Sequence, residues 1–390
     1  MSAMRLLVVS PNCPWPPDEG GNIRIMGLLR ELARTHEVTL VTAVRKPSDR
    51  DGVRLLRAMM HRVEAPEIMR APWRKCLDML ASYLTLTPYL GVVADAPALR
   101  RAVAVAAPGQ DAAQGEFVTG ARLIAGLPCF KVMDAHNVEA DILLGNARRA
   151  RGPVRRLHHF LQALFMRRYE EREAARMDAV LTCSDADREH FLRRNRAVLT
   201  VPNAVEAVHD RDLPGGKDVV FVGLMSYLAN AEGICWFHEA IWPQVKAREP
   251  QARLWIVGKN PRPEVARLAC ADVVVTGFVP DVAEYYRRAR VFVCPLRVGS
   301  GTRLKILEAF SWGVPVVSTT LGCSGIEARS GEHLLVADSP SDFGRSVSQV
   351  LENDALADRL GRAGRDLAAA RYTWEGVVRT LNEKVYKTCA

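Results

Sequence analysis

The chain has 390 residues, which is too long for one ordinary compact core, so we expect two domains. Its hydrophobic content of 48% and charged content of 25% are typical of a soluble globular protein and exclude a disordered or fibrous chain. The formal net charge of +9 favours anionic partners, such as nucleotide phosphates, lipid phosphates or nucleic acid, without choosing among them.

The nine cysteines form no CxxC pair and have no His-rich neighbourhood, so the sequence predicts neither a zinc site nor a disulfide framework. The first residues lack an export signal, and we expect a cytoplasmic protein with reduced thiols. The most apolar long stretch, residues 76–94, is interrupted by Asp78 and Pro88, which argues against a transmembrane helix. We expect this stretch to form a helix and a loop at a domain surface.

The first half opens with a strand, a glycine-containing loop, a helix at 23–33 and a second strand. This order is that of a βαβ unit and implies a parallel sheet. Residues 50–125 are rich in Ala and Arg and predict helices, with a loop near 108–115. Apolar runs predict the strands of this half at 5–10, 37–43, 130–134, 178–183 and 198–202.

After a polar linker at 203–216, the second half repeats the alternation more regularly. Its strands are predicted at 219–222, 253–257, 273–276, 291–293, 314–318 and 334–336. Its helices are predicted at 231–247, 262–269, 280–289, 303–312 and 340–352. The sequence therefore predicts an α/β protein with two doubly wound, parallel-sheet halves. Because ligands of such sheets bind at the carboxyl ends of the strands, we expect the site in the cleft between the halves.

The segment PLRVGSGTRLKILE, residues 295–308, follows a predicted buried strand and combines glycines with two cations. Gly299, Ser300 and Gly301 allow close backbone approach, and their amides suit a phosphate group. Arg303 and Lys305 lie at a helix N-terminus, where the helix dipole favours carboxylates instead. A bound diphosphate would supply the missing negative charge.

Glu308 lies three residues after Lys305, on a neighbouring part of the same helical face. A carboxylate beside a nucleotide can accept hydrogen bonds from the two ribose hydroxyls. The alternative is a surface pair of Lys305 and Glu308, worth only about 0.2–0.5 kcal/mol. The neighbouring glycines and cations favour the nucleotide site.

The stretch GSGTRLKILEAFSWGVPVVST, residues 299–319, resembles the donor-site signature of glycosyltransferase family four. Similar stretches recur over most of the chain, including DAHNVEAD at 134–141 and VFVGLMSYLANAEGICWF at 220–237, whereas residues 45–125 match poorly. The resemblance implies the GT-B fold, two Rossmann-like domains that face each other across a cleft. We place the acceptor domain at 1–204 and the nucleotide-sugar donor domain at 205–373, with a helix at about 374–390 packing back on the first.

The resemblance also implies donor contacts. Glu308 matches the second glutamate of the family's E-x7-E motif, which holds the donor ribose. The first glutamate falls on Ser300, so a carboxylate contact to the donor sugar is lost. Thr302 is a further expected donor contact. Phe278 and Val279 resemble the patch against which the base packs, although core packing after a strand is an equal alternative.

Many family members clamp the diphosphate with Arg and Lys after the first strand of the C-terminal domain. The corresponding stretch of this chain, residues 223–230, has no cation. By the resemblance, Arg303 and Lys305 are the expected substitutes, with Ser226 and Asn230 as weaker polar contacts.

On the acceptor side, His136 follows a predicted strand end, and the resemblance implies that it faces the transferred sugar. The alternative for an isolated histidine is a structural or merely exposed role. Gly20 and Gly21 open the first helix, so their amides suit the donor phosphate or the acceptor, or they simply form a tight turn. Arg24 is a further candidate contact to the acceptor.

The basic segment at 148–176 has apolar residues at helical spacing between 154 and 166, flanked by arginines. Such a helix can rest on an anionic membrane surface, so we expect possible peripheral contact at the inner face of the membrane. The alternative is a domain helix with a solvated basic face. Nucleic-acid binding would explain only the charge, because no recognition motif accompanies it.

The sequence therefore predicts a glycosyltransferase that moves a sugar from a UDP-, GDP- or dTDP-sugar to a hydroxyl of a glycan, a lipid-linked sugar or a small molecule. No DxD-type metal motif accompanies the glycines, and we expect no cofactor or metal, with Arg303 and Lys305 opposing the leaving-group charge. The resemblance implies retention at the anomeric carbon. The alternatives are a sugar-nucleotide epimerase or phosphorylase of the same fold, and a binding or scaffold protein that has lost catalysis.

Overall fold

The computed structural model describes residues 3–298 and 303–389 of the chain. The chain separates into two compact units, Met1–Pro202 with Val377–Ala390, and Asn203–Gly376. Each unit is an α/β layer structure with its own core. Gly299, Ser300, Gly301 and Thr302, which the sequence assigns to the phosphate loop, lie outside the described residues.

The first unit contains a seven-stranded sheet in the order β3-β2-β1-β4-β5-β6-β7, and all its neighbouring strands are parallel. Its strands are β1 (Arg5–Val9), β2 (Glu37–Val41), β3 (Arg62–Glu64), β4 (Ala112–Glu116), β5 (Phe130–Ala135), β6 (Ala179–Thr182) and β7 (Val198–Thr200). Its helices are α1 (Gly20–Leu32), α2 (Asp49–Met59), α3 (Arg74–Thr85), α4 (Tyr89–Ala94), α5 (Pro97–Ala106), α6 (Phe117–Ile124), α7 (Glu139–Arg149), α8 (Pro153–Ala174) and α9 (Asp185–Phe191).

The second unit contains a six-stranded parallel sheet in the order β10-β9-β8-β11-β12-β13. Its strands are β8 (Asp218–Val222), β9 (Arg253–Val257), β10 (Val273–Gly277), β11 (Val291–Cys294), β12 (Val316–Ser318) and β13 (Leu335–Val336). Its helices are α10 (Leu228–Trp236), α11 (Trp242–Arg248), α12 (Pro263–Ala266), α13 (Ala283–Arg288), α14 (Leu304–Ser311), α15 (Pro340–Glu352) and α16 (Asp354–Arg371). The last helix, α17 (Trp374–Lys384), begins in this unit and ends in the first, before a 3-10 turn at Tyr386–Cys389.

Continuous apolar runs form the central strands because both faces of each sheet are covered by helices. In β1, Leu6, Leu7, Val8 and Val9 are all at most 1% exposed. The sequence predicted most of this alternation of strands and helices, but not β3 or β4. Within the described residues, none of the helices combines the length and apolar character needed to cross a bilayer.

One predicted helix of the second unit is interrupted. The expected helix at 231–247 is resolved into α10 and α11, joined by a π-helical turn at Phe237–Ile241. Pro243 lies in the first turn of α11 and has no backbone N–H to donate. The π-helical turn before Pro243 is wider than an α-helical turn, and it accommodates the hydrogen bond that the proline cannot make.

The expected loop at 108–115 is only partly confirmed: residues 107–111 form a turn, but Ala112–Glu116 forms β4 in the middle of the first sheet, between β1 and β5. Every residue of this strand is buried. Its sequence, AAQGE, lacks the β-branched residues that mark a strand, since small side chains are needed there. A Cβ on Gly115 would lie 2.3 Å from the backbone nitrogen of Ala121 in α6, so the helix packs directly on the strand backbone.

Gly115→Ala is therefore expected to destabilise the fold by about 1–3 kcal/mol or more, since the added methyl group meets backbone that cannot move aside. Gly126→Ala is the matched control, because a Cβ at Gly126 meets no atom within 4 Å. Chemical denaturation followed by circular dichroism measures both variants. Equal stability of Gly115→Ala and the wild type would contradict the close packing of α6 on β4.

Candidate functional site

In the second unit, the candidate donor site lies at the start of α14. This helix follows directly after residues 299–302, which the structure does not describe. Arg303 precedes this helix, and Lys305 and Glu308 lie in its first two turns. Arg303 is buried, whereas Lys305 and Glu308 keep part of their side chains open to solvent. These two side chains can therefore meet a ligand.

Lys305 reaches the carboxyl end of the central strand β8. Its Nζ lies 2.6 Å from Asn230 Oδ1 and 4.5 Å from the centroid of the Phe221 ring. A Cβ on Gly223 would lie only 2.8 Å from Nζ, so this glycine leaves the space that the ammonium group occupies. The Asn230 amide nitrogen donates to the Leu224 carbonyl at 2.9 Å, which directs Oδ1 toward Lys305. The structure thus brings together two of the residues that the sequence assigned to the donor.

The environment of Lys305 is unfavourable for a positive charge. Burial, with a smaller contribution from the neighbouring charge of Arg303, lowers the pKa of Lys305 to about 8. Asn230 and Phe221 contribute only a dipole and an aromatic face, and the attraction of Glu308 offsets only part of the effect. An anion bound beside Nζ would restore the balance.

Glu308 is held by a residue that sequence reasoning missed. Its Oε2 accepts a hydrogen bond from the Tyr286 hydroxyl at 2.8 Å. Burial raises the pKa of Glu308, and burial beside this carboxylate raises the pKa of Tyr286, so the tyrosine stays a donor. Tyr286 contacts Oε2 only, which fixes the carboxylate without using both of its oxygens. No motif in the sequence marks this tyrosine, which lies on α13.

The remaining predicted donor contacts differ from one another. Ser226 is exposed in the turn after β8. Phe278 is 70% exposed, whereas Val279 packs against the core of the unit. Only Phe278 is therefore open for stacking on a base, and the two residues do not form one patch.

In the first unit, His136 follows β5 and is only 5% exposed. Its Nε2 lies 2.9 Å from Glu116 Oε2, and its ring stacks on Phe117 with centroids 3.9 Å apart. Phe117 has a φ of 59°, in the left-handed region that such residues rarely adopt. Glu116 and Phe117 lie at the end of β4, the strand that the sequence did not predict, so neither was a candidate.

Glu116 is the centre of a buried hydrogen-bond chain. Its Oε1 accepts from Gln114 Nε2 at 2.6 Å, and Gln114 Oε1 accepts from the Tyr386 hydroxyl at 2.5 Å. Burial raises the pKa of Glu116, and the neighbouring Asp134 raises it further. When Glu116 is ionised, it accepts a hydrogen bond from Nε2–H of His136, which leaves Nδ1 of the neutral ring as an acceptor.

Arg24, a predicted contact to the acceptor, pairs with a buried carboxylate in this structure. Its side chain is 1% exposed and binds Asp134 in a bidentate pair at 2.8 and 2.7 Å. It also donates to the Val201 carbonyl at 2.9 Å. Burial opposes ionisation of Asp134, but the charges of Arg24 and His136 and the hydrogen bonds to the carboxylate together outweigh it and lower the pKa of that carboxyl. Arg24 is therefore the structural counter-charge of a buried aspartate.

The start of α1 lies beside His136 and Phe117. The helix begins at Gly20, and a Cβ on Gly21 would lie 3.1 Å from Phe117 Cζ and 3.6 Å from His136 Nδ1. Within the described part of the chain, His136 Nδ1 has no hydrogen-bond partner. Gly20, Gly21 and His136 therefore lie together, as a site that takes a polar group would require.

Glu116, Asp134 and His136 place one potential ligand atom each within 4.8 Å of one another, which is close enough to hold a metal ion. Asp134 already binds Arg24, and His136 is hydrogen-bonded to Glu116. We therefore describe the cluster as a hydrogen-bonded network that orients His136.

Comparison with known proteins bears on the second unit first. Residues 216–353 match the family model described as "Glycosyl transferases group 1". The chain is similar to the phosphatidyl-myo-inositol mannosyltransferase of Mycobacterium tuberculosis, with 33% identity over 187 residues, 45% of this chain and 48% of that protein. The chain thus aligns with about half the length of that relative.

The whole fold is similar to solved structures. Sucrose-phosphate synthase from Thermosynechococcus elongatus gives a TM-score of 0.69 at 18% identity, covering 99% of this chain and 98% of that one. Anabaena Alr3699/HepE in complex with UDP and glucose gives 0.70 at 14% identity, covering 98% and 100%. With the two parallel sheets, this likeness confirms the GT-B fold.

The lowered pKa of Lys305 predicts pH-dependent binding of a nucleoside diphosphate. The diphosphate binds the charged ammonium form, so affinity is full below about pH 8 and falls as the pH rises through that value. The loss approaches about tenfold per pH unit, as expected for uptake of one proton. Titration calorimetry in buffers of different ionisation enthalpy measures both the affinity and the proton uptake.

Lys305→Arg is the control, because a guanidinium stays charged over this range. This variant should bind with little pH dependence between 7 and 9.5, roughly the range over which a lysine shifted by burial titrates. Equal pH dependence in Lys305→Arg and the wild type would show that another group is responsible.

Glu116→Gln is expected to reduce turnover by about tenfold or more with little change in donor KM, since the charge that orients His136 is lost. His136→Ala should reduce turnover as well, and the double variant should be no worse than the worse single one, because Glu116 acts through His136. Donor hydrolysis or transfer to a cell extract provides the assay.

Glu170→Gln is the matched control, a buried carboxylate of the same unit that accepts a hydrogen bond from the Glu139 amide. Additive losses in the Glu116 and His136 double variant, or unchanged turnover in Glu116→Gln, would contradict the positioning role.

Proposed function

We propose that this chain, a glycosyltransferase similar to family four, transfers a sugar from a nucleoside-diphosphate sugar to a hydroxyl acceptor. The observation that carries the proposal is the pairing, on α14, of Lys305 at the end of β8 with Glu308 one turn later. Both residues lie inside the stretch that matches the family model. The match supports an enzyme over a binding protein or an epimerase.

In this proposal, the diphosphate of the donor lies beside Lys305 and Arg303. Cleavage of the sugar–oxygen bond leaves negative charge on the diphosphate, and two fixed cations stabilise it. A well-placed group of this kind typically contributes about 3–4 kcal/mol of transition-state stabilisation. Both cations are preorganised, since Arg303 is buried and Lys305 is held by Asn230.

The ribose is assigned to Glu308. Tyr286 orients the carboxylate through Oε2, so an oxygen remains to accept from the ribose hydroxyls. The exposed ring of Phe278 is available for the base. The solved structure of Anabaena Alr3699/HepE is a complex with UDP and glucose, which supports a donor of this class.

The chemistry of the transfer is a further part of the proposal. We assign no metal to the reaction, because Arg303 and Lys305 place positive charge where the diphosphate would lie. Retention at the anomeric carbon, with the leaving phosphate assisting the acceptor, follows from the family resemblance. On the acceptor side, His136 Nδ1 and the amides of Gly20 and Gly21 offer an acceptor and donors to a sugar hydroxyl or phosphate.

The acceptor and the location also belong to the proposal. The relative from Mycobacterium tuberculosis is named as a transferase that acts on phosphatidyl-myo-inositol, which supports a lipid-linked acceptor over a free sugar. A cytoplasmic protein in peripheral contact with an anionic membrane would reach such an acceptor.

Glu308→Ala is expected to weaken nucleotide binding by about 10–100-fold, because hydrogen bonds to a charged group contribute about 1.5–3 kcal/mol. A thermal-shift panel of UDP-, GDP- and dTDP-sugars selects the nucleotide, and titration calorimetry gives the affinity. Glu352→Ala, an exposed glutamate at the end of α15, is the control.

Tyr286→Phe keeps the core packing and removes the hydroxyl that orients Glu308, so it should show a smaller loss in the same direction. Wild-type affinity in both the Glu308 and Tyr286 variants would remove the ribose assignment.

A further inference from the structure

Two helices of the first unit expose their apolar stripes. In α3, Trp73 at the N-cap and Leu77, Leu80 and Leu84 recur at helical spacing and are between 52% and 76% exposed. Within α3, which is described in full, Ser82 is the one buried residue. The apolar stripe of this helix therefore faces solvent, opposite to the usual arrangement in a globular domain.

Helix α8 repeats this feature along its first half. Val154, Leu157, Phe160 and Leu164 follow the same spacing and are between 39% and 80% exposed. Of the 18 exposed large hydrophobic residues in the described parts, 11 lie within 69–90 and 154–164. This concentration distinguishes the region from the scattered apolar residues that any surface shows.

Polar contacts join the two helices. The Tyr83 hydroxyl lies 2.6 Å from His158 Nδ1, and Gln162 Nε2 donates to Ser82 Oγ at 2.9 Å. The same glutamine accepts from the Tyr89 amide at 2.8 Å. The hydrogen-bonding side chains thus hold α3 and α8 together, whereas the leucines of the two apolar stripes are exposed to solvent.

Charge accompanies these stripes. Residues 148–168 contain seven arginines and neither Asp nor Glu. Arg74 and Lys75 open α3 beside Trp73, whose ring lies 5.6 Å from the Arg74 guanidinium. Apolar residues with a Trp at the edge, flanked by Arg and Lys, are the composition of a helix that lies in the interface of an anionic bilayer.

We infer that the exposed stripes of α3 and α8, here called the α3/α8 surface, dock the first unit on a membrane that contains anionic lipid. The leucines enter the boundary between headgroups and acyl chains, and the arginines meet lipid phosphates. A second protein would need acidic residues to match seven arginines, whereas an anionic bilayer offers negative charge and an apolar layer together. The inference rests on the proposed membrane contact and names the surface that makes it.

Vesicle sedimentation of the full chain tests the inference, with phosphatidylcholine vesicles that either contain or lack phosphatidylglycerol. The wild type should sediment with the anionic vesicles and much less with the neutral ones. Leu80→Ser with Leu84→Ser, and Leu157→Ser with Phe160→Ser, should each weaken partitioning by about tenfold or more. Arg155→Gln with Arg156→Gln should weaken it by about fivefold for each arginine, and only on anionic vesicles.

Val105→Ser with Arg101→Gln is the matched control, an exposed apolar residue and an exposed arginine on α5 of the same unit. Donor-nucleotide affinity and thermal stability are measured for every variant and should be unchanged, which separates a failure of docking from a failure of the proposed reaction. The inference would be overturned if the wild type did not bind anionic vesicles. It would also be overturned if the variants with serine in the apolar stripes of α3 or α8 bound these vesicles as well as the wild type does. It would also be overturned if the stripe variants instead abolished self-association of the chain.

Discussion

The candidate donor site depends on one charged group, the ammonium of Lys305 at the carboxyl end of β8. The protein holds it with an amide oxygen and an aromatic ring, and neither carries a full negative charge. Burial makes the charged form costly there and lowers the pKa of Lys305 to about 8. A group kept in this state is poised for an anionic ligand, and the rest of the second unit is arranged around it. Gly223 leaves the space, Asn230 sets the direction, and Glu308 lies one turn along the same helix.

Arg24 in the first unit shows the opposite case. Its side chain is only 1% exposed, but Asp134 accepts two hydrogen bonds from it. Its charge is matched by that carboxylate, so the pair stabilises the fold. The same reasoning separates His136 from the other members of its network. Glu116 occupies Nε2, and Nδ1 remains available beside Gly21.

The sequence predicted both sheets well, because their strands are apolar runs buried on both faces. It also placed α15 at the observed bounds, where Ser339 caps the helix and Pro340 opens it. Apolar runs did not reveal β4, because its sequence is AAQGE. Its small residues allow α6 to pack closely on the strand, but they have low strand propensity. Glu116 and Phe117 went unrecognised with that strand.

Contacts between segments that are distant along the chain could not be predicted from the sequence for a related reason. Lys305 and Asn230 were both expected near the donor, because each lies on a recognisable motif. Their direct hydrogen bond, and that of Tyr286 to Glu308, join residues 75 and 22 positions apart. Periodicity and spacing describe neighbours along one element, so a tyrosine on α13 carried no signal. The pairing of Arg24 with Asp134, 110 positions apart, could not be predicted for the same reason.

A crystal structure of the chain with the nucleoside diphosphate of its best-binding donor tests the central claim most directly. The account predicts diphosphate oxygens within hydrogen-bond distance of Lys305 Nζ and ribose hydroxyls on the Glu308 carboxylate. A nucleotide bound elsewhere, with the Lys305–Asn230 contact unchanged and no phosphate near it, would contradict the account.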